Sequence, residues 1–324
     1  MSRYLVTGAS GFLGSHLVRA LEARGHAVVA FSRARGGDVL DPQALRAAAA
    51  GCDGAFHCAG SVSRKREDAE AMYRLHVDGT KNVLDACALA NVKRVVVAST
   101  SGTIAVRETP GPVPTEEQPA PVGLVSRWPY YRAKLFAERA ALERGREGFD
   151  VVCVNPSLLL GPGDLRGSST GDVRLFLEGS IPVVFGGGLS FVDARDAAEA
   201  MRLAMDRGRS GERYLVGACN VTIREFFERL ERVSGVRAPQ VPVPRSATIA
   251  RLGAQFTQSV SSRLGVKAPI DPVGAEMAQC FWYLDAGKAH EELGWQPRDP
   301  NETLYDTVED LRGRGVVWPT AAVR

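Results

Sequence analysis

Three observations predict an α/β fold: a doubly wound parallel sheet with a smaller, interleaved C-terminal lobe. Short β-branched runs alternate with longer stretches of helical period along most of the chain. The runs Arg94–Ala98 and Val151–Val154 are apolar without interruption, as in strands buried on both faces. A glycine loop, Gly8–Gly14, separates the first strand pattern from the first helix pattern. The 324 residues suffice for one large domain or two fused ones. Apolar residues make up 45% and charged residues 24%, which argues against disorder and against a disulfide-dense scaffold. The formal net charge of +3 gives no case for a nucleic-acid or anionic-membrane partner. No stretch approaches the uncharged apolar length of a membrane span.

The elements follow in order. Tyr4–Thr7 reads as a strand. Phe12, Leu13, His16, Leu17, Ala20 and Leu21 recur at helical spacing, and Gly25 marks the stop. Ala27–Phe31 is the second strand. Asp41 suits an N-cap and Pro42 a first turn, predicting a helix over Pro42–Ala50. Gly54–Cys58 is the third strand, residues 68–90 a long helix, Arg94–Ala98 the fourth strand, residues 129–145 a helix and Val151–Val154 the fifth strand. This β-α-β-α order is the one a parallel sheet with helical crossovers requires. Past Pro156 the pattern loosens. Gly161–Asp164 and Gly167–Gly171 read as loops, Asp193–Arg207 as a helix, Glu212–Val216 as a strand, and Thr222–Ser234 as a helix capped by Thr222. Residues 236–275, punctuated by Pro and Ser, take no clear assignment.

The N-terminus runs directly into a strand pattern with no basic or apolar leader, so no secretory signal is expected. The six cysteines are scattered, without CxxC or Cys/His pairing at ligand spacing. They read as small core residues, so no metal site is expected and a reduced, cytoplasmic compartment is.

The Gly8-Ala-Ser-Gly11-Phe-Leu-Gly14 loop carries the first chemical signal. A dinucleotide pyrophosphate needs a tight turn, close backbone approach and a helix N-terminus aimed at it, and glycines between strand and helix supply all three. The spacing is G-x-x-G-x-x-G. Thr7–Gly14 resembles the TGxxGFLG fingerprint of the extended short-chain dehydrogenase/reductases, matching every fixed position. The resemblance continues through Asp38–Asp41, His57–Gly60, Val77–Thr80 and Val154–Ser157. It is strongest to the dihydroflavonol-4-reductase-like branch and the related hopanoid-associated sugar epimerases. It implies a Rossmann-type fold in which residues 1–156 bind the dinucleotide, residues 182–207 return to that domain, and residues 157–181 and 208–324 form the substrate lobe. It further implies cofactor contacts from Gly8, Ser10, Gly11, Phe12, Leu13 and Gly14. Asp38 and Val39 would meet the adenine, Cys58, Ala59 and Gly60 the adenosine side, and Pro156 and Ser157 the carboxamide. Asp41 is better read as a helix cap.

An NAD enzyme usually places a carboxylate after the second strand to accept from the ribose 2′-hydroxyl. This chain has Ser32-Arg33-Ala-Arg35 there. A guanidinium suits a 2′-phosphate, so NADP(H) is expected, with Arg33 as the main ligand and Ser32 assisting; NAD(H) stays open as second choice.

Tyr130 and Lys134 stand four apart in a helical stretch, on one face and one turn apart. A free phenol titrates near pH 10, and a neighbouring ammonium and an oxidised nicotinamide favour its phenolate. The family motif YxxxK selects Tyr130 over Tyr131, with Lys134 also reaching the nicotinamide ribose. A hydroxyl at the end of the fourth strand completes the set. Gap-free matching to the dihydroflavonol-reductase pattern selects Thr100, where the family usually has Ser; the epimerase-like pattern selects Ser101 as the alternate. His76 stands where the family usually has Asn, and reads slightly better as a core histidine.

These residues lead to three readings. One is an NADP(H)-dependent reductase of a small, hydrophobic carbonyl compound. The second is an NAD-dependent nucleotide-sugar epimerase, for which Arg195, Arg213 and Arg224 are candidate diphosphate clamps. The third is a non-catalytic NADP-binding protein. Leu158, Leu159, Leu160, Phe176, Phe185 and Phe191 offer the second lobe apolar material, either as pocket lining or, residue by residue the better reading, as core. Relatives often dimerise through the helices equivalent to 68–90 and 129–145, which leaves a homodimer open.

Overall fold

The computed structural model describes residues 1–244 and 272–317. Five strands of its main sheet come early: β1 (Arg3–Thr7), β2 (Ala27–Phe31), β3 (Gly54–His57), β4 (Arg94–Ala98) and β5 (Asp150–Pro156). After β6 (Leu158–Leu160), β7 (Val183–Val184) and β8 (Gly188–Asp193), β9 (Arg213–Val216) returns as the sixth. The order is β2-β1-β3-β4-β5-β9, and every pairing is parallel.

Alternation along the strands sorts their apolar side chains onto two faces. Val6, Val96, Val152 and Val154 face α1 (Phe12–Glu22) and α8 (Ala194–Arg207). Leu5, Val95, Val97, Val151 and Cys153 face α2 (Pro42–Ala49), α4 (Gly79–Leu89) and α6 (Pro129–Arg146). Burial on both faces is why these strands read as unbroken apolar runs. The chain winds from β1 outward to β2, then reverses to β3 on the other side of β1. Such a reversal opens a crevice at the carboxyl ends of the strands. The glycine loop follows β1 and Cys58–Gly60 follows β3, so both border it.

A second sheet joins β6, β8, β10 (Cys219–Thr222) and β12 (Phe281–Trp282), while β7 pairs with β11 (Val241–Pro242). Around them lie α7 (Gly171–Leu177), α9 (Ile223–Ser234), α10 (Pro272–Met277) and a last helix, α11 (Pro300–Gly313). Leu160, Phe176 and Phe191 are fully enclosed in this lobe's core with Phe226 and Leu304, so they hold the lobe together. Thr222 caps α9 in a full capping box with Glu225.

Most element ends fall within two residues of expectation, with three differences. First, Arg213–Val216, expected in the smaller lobe, belongs to the main sheet; its Tyr214, Leu215 and Val216 are fully buried, as an inserted parallel strand demands. Second, β7 and β8, expected to return to the dinucleotide domain, pair within the smaller lobe, and only α8 returns. Third, the long helix expected over 68–90 is α3 (Ala69–Tyr73), a π-helical turn at Arg74–Asp78, and α4. The Thr80 hydroxyl donates to the His76 carbonyl at 2.5 Å within that widened turn. Part of the unassigned 236–275 stretch, residues 245–271, lies outside the described residues. Among the described residues no helix is long and apolar enough to cross a membrane.

Candidate active site

The glycine loop is built for close backbone approach. Gly8 has φ +67°, and a Cβ there would lie 2.6 Å from the Ala59 nitrogen and the Cys58 carbonyl. A Cβ on Gly14 would lie 2.2 Å from the Gly8 oxygen. Gly11, which precedes α1, offers no side-chain cap, and the first turn has no acidic residue. The first-turn N–H groups of α1 are thus left for an anion, and the helix dipole favours one. Two buried hydroxyls at strand ends, Ser32 Oγ after β2 and Ser157 Oγ after β5, lack a hydrogen-bond partner. The cradle and these unpaired hydroxyls fit a dinucleotide lying across the crevice.

The remaining residues expected at the cofactor are placed as follows. Ser10 is exposed, and Phe12 is half-buried beside the loop; Leu13 is buried. Arg33 and Arg35 are exposed in a short 3₁₀ turn that Gly36, at φ +80°, closes. The Asp38 carboxylate accepts from the Leu40 amide at 2.9 Å, and Val39 is buried in the core. Asp41 caps α2, accepting from the Gln43 and Ala44 amides. Gly60 packs beneath His76, where a Cβ would lie 2.9 Å from Cε1. Pro156 ends β5.

A histidine chain ties this crevice together. Thr80 spends its hydroxyl hydrogen on the His76 carbonyl, so it accepts from His57 Nε2–H at 3.1 Å. His57 Nδ1 is therefore the acceptor for the Thr7 hydroxyl at 2.8 Å. His76 Nε2 donates to the Ser61 carbonyl at 2.9 Å, and its imidazole meets the Tyr130 ring edge-on at 5.5 Å. Burial, ahead of the Lys134 charge, holds both imidazoles at about 3. They are neutral in the fold but titrate near 6.5 when unfolded. With the folded pKa depressed, their stability is present above pH 6.5 and is lost as pH falls toward 3. Equilibrium unfolding should show a loss of about 2 kcal/mol per histidine between about pH 7 and pH 5; equal stability at both would contradict the neutral assignment.

Helix α6 opens with Pro129 at its first position and sets Tyr130 and Lys134 at the carboxyl end of β4. Lys134 Nζ donates to the Ala98 carbonyl at 2.7 Å. The Thr100 hydroxyl accepts from the Gly102 amide at 3.4 Å and lies near enough to the Tyr130 phenol to favour its anion, while Ser101 is buried at the start of the following turn. Tyr131 lies on the other side of that turn, where a Gly102 Cβ would lie 2.2 Å from its ring, and it joins Trp128 and Trp282 in an aromatic group.

Burial, followed by Tyr131, pushes the Tyr130 phenol well above its ordinary range; the Thr100 hydroxyl works the other way. Desolvation of the anion is the largest of these effects. Tyr130 keeps its proton at neutral pH. Burial brings Lys134 down to about 8, with Cys58 and then Glu138 working against it.

Sequence reasoning missed two residues here. Glu138, one turn beyond Lys134, is buried and accepts from Ser99, from Thr103 Oγ1 at 2.9 Å, from Asn155 Nδ2 at 2.6 Å and from Arg213 Nη1 at 2.8 Å. Asn155 also donates to the Thr100 carbonyl at 3.1 Å. The only signal was the repeat of the four-residue spacing, 130, 134, 138. Two of the expected diphosphate clamps are engaged elsewhere: Arg213 with Glu138, and Arg195 with Asp193 at 2.7 Å and Asp306 at 2.6 Å.

Comparison with known proteins agrees with this fold. Residues 4–217 match the NAD dependent epimerase/dehydratase family. A Synechocystis protein provisionally named dihydroflavonol 4-reductase is 32% identical over 333 residues, covering 97% of this chain and 96% of the relative. Sterol demethylase protein B of Methylococcus capsulatus is 34% identical over 330 residues, covering 97% and 99%. The crystal structure of gox2253 superposes with a TM-score of 0.81 at 27% identity, covering 98% of this chain and 100% of that one. With its glycine cradle and its Tyr130–Lys134 helix, the chain belongs to the NAD dependent epimerase/dehydratase family, as an NAD(P)-dependent oxidoreductase of the extended short-chain type in the dihydroflavonol-4-reductase-like branch.

Proposed function

We propose that the protein reduces the ketone or aldehyde of a small, hydrophobic molecule with NADPH. The observation that carries this reading is the convergence of Thr100, Tyr130 and Lys134 at the carboxyl end of β4, with Lys134 Nζ on the Ala98 carbonyl at 2.7 Å and Tyr130 one helical turn before it. Bound reduced nicotinamide supplies the hydride. Tyr130 gives its proton to the carbonyl oxygen; burial keeps that proton in place until transfer but disfavours the phenolate, so the phenolate must be stabilised as it forms. Thr100 hydrogen-bonds that oxygen and holds it beside the phenol. Lys134 stabilises the phenolate left behind and holds the ribose hydroxyls. Ser157 and Pro156 orient the carboxamide. Tyr131, Trp128 and Trp282 give the neighbouring wall an aromatic character, which suits an apolar substrate.

Support for NADP(H) over NAD(H) comes from the end of β2. Ser32 Oγ is unpaired, and the exposed guanidinium of Arg33 follows it with no carboxylate in the Ser32–Gly37 turn. Arg33→Ala should weaken NADPH binding about 10–100-fold, a charge-assisted hydrogen bond's worth, and leave NADH binding unchanged. Titration of protein fluorescence with each dinucleotide reads this directly; equal losses for both would remove Arg33 from the 2′-phosphate.

The epimerase reading is weakened by the pairing of Arg195 and Arg213, which leaves Arg224 of the three clamps. A panel of ketones and aldehydes followed by NADPH absorbance, run beside nucleotide-sugar incubations, decides between the readings, and the absence of any turnover would favour a binding protein. Tyr73 on α3 and Phe136 on α6 are exposed with ring centroids 6.3 Å apart, apolar surface that a homodimer through these helices would cover.

A further inference from the structure

Glu138 is buried and makes no direct hydrogen bond to Tyr130, Lys134 or Thr100, yet its partners flank Thr100 on both sides. A buried carboxylate is costly unless its oxygens are fully partnered, and here they are. One oxygen gathers the hydroxyls of Ser99 and Thr103 and the amide of Asn155; the other takes Arg213 from β9. Ser99 and Thr103 bracket Thr100. The Thr103 amide donates to the Thr100 carbonyl, which also receives Asn155 at 3.1 Å. The turn carrying Thr100 is thus pinned on both sides to a group on the same helix as Tyr130. From one turn away, the Glu138 anion also opposes the desolvation of Lys134.

We propose that Glu138 is a positioning residue: its carboxylate locks the Ser99–Thr103 turn onto α6, so that Thr100 meets Tyr130, and it stands one helical turn from Lys134 as a buried countercharge. This rests on the reductase reading for its kinetic consequence alone. Lys134 is faced by His57 and Cys58 from the β3 end, His76 from the π-helical turn, Cys153 from β5, and Glu138 from its own helix. Of these, Glu138 is the one carboxylate.

The test is Glu138→Gln in the full chain, which keeps the shape and removes the charge. Carbon-13 NMR of lysine Cε, with Lys134 assigned through Lys134→Arg, follows its titration without any substrate. The Lys134 midpoint should fall from about 8 by at least about half a pH unit. On the carbonyl compound best reduced by the unmodified chain, kcat should fall about 10–100-fold with KM within about threefold, as expected for a misplaced hydroxyl. A folded variant with the midpoint and kcat both unchanged would overturn the proposal. Should no carbonyl compound be reduced by the unmodified chain, the reductase reading fails while the titration still decides the Lys134 half. If Glu138→Gln does not fold, Thr103→Val removes one donor and keeps the charge; it should lower kcat at unchanged KM, and an unchanged kcat would overturn the role of the turn.

Discussion

Tyr130→Phe is expected to lower kcat by about 10²–10⁴-fold, the range of a lost general acid, with NADPH affinity unchanged. The substitution removes one oxygen. The Phe ring retains the edge-on contacts with His76 at 5.5 Å and Tyr131 at 5.0 Å, so the cleft keeps its shape. The Thr100 hydroxyl remains to polarise a carbonyl but does not replace the phenol as proton donor. Stability should change little, because one hydroxyl is deleted while the ring contacts stay in place. Stopped-flow turnover beside a fluorescence binding titration separates the two quantities. Turnover within a few-fold of the unmodified chain would exclude Tyr130 as the acid.

Gly14→Ala should cost at least about 100-fold in NADPH affinity, about 2.7 kcal/mol. Two effects compete. Alanine in a helix gains up to about 1 kcal/mol over glycine. Against this, its Cβ would sit 2.2 Å from the Gly8 oxygen and 2.8 Å from the Gly8 carbonyl carbon. Both are backbone atoms of a residue at φ +67° that is itself wedged against Ala59 and Cys58. Overpacking of this kind costs about 1–3 kcal/mol or more, so the clash wins and the loop must open. The expected signature is lost cofactor binding together with a lowered melting temperature. A variant that melts higher and binds NADPH normally would show that the helix gain dominates and that the cradle is looser than its distances imply.

The features legible in the sequence are those written in local spacing. The glycine loop, the Asp41 and Thr222 caps and the Tyr130–Lys134 pair each lie within a few residues, and the structure places them on the elements that their spacing implies. The parallel sheet was legible because two-sided burial leaves unbroken apolar runs in β4 and β5. Glu138 was not legible, since its partners come from the turn after β4, from β5 and from β9 and meet only once the sheet is assembled; Arg213 lies 75 residues away. Arg195 and Arg213 looked like free cations for the same reason, Arg195 being matched in part by Asp306, 111 residues on. The π-helical turn at Arg74–Asp78 depends on a shift of backbone hydrogen bonding that apolar periodicity does not encode. β9 was misplaced because a four-residue run carries no mark of which sheet it will join.

The most direct measurement follows the hydride. NADPH deuterated at nicotinamide C4 is incubated with the chain and each carbonyl compound, and the product alcohol is examined by mass spectrometry. The account predicts deuterium on the carbinol carbon, one per NADPH consumed, and none in Tyr130→Phe within the same time. Epimerisation of a nucleotide sugar with no net consumption of dinucleotide, or label transfer undiminished by the loss of the phenol, would contradict it.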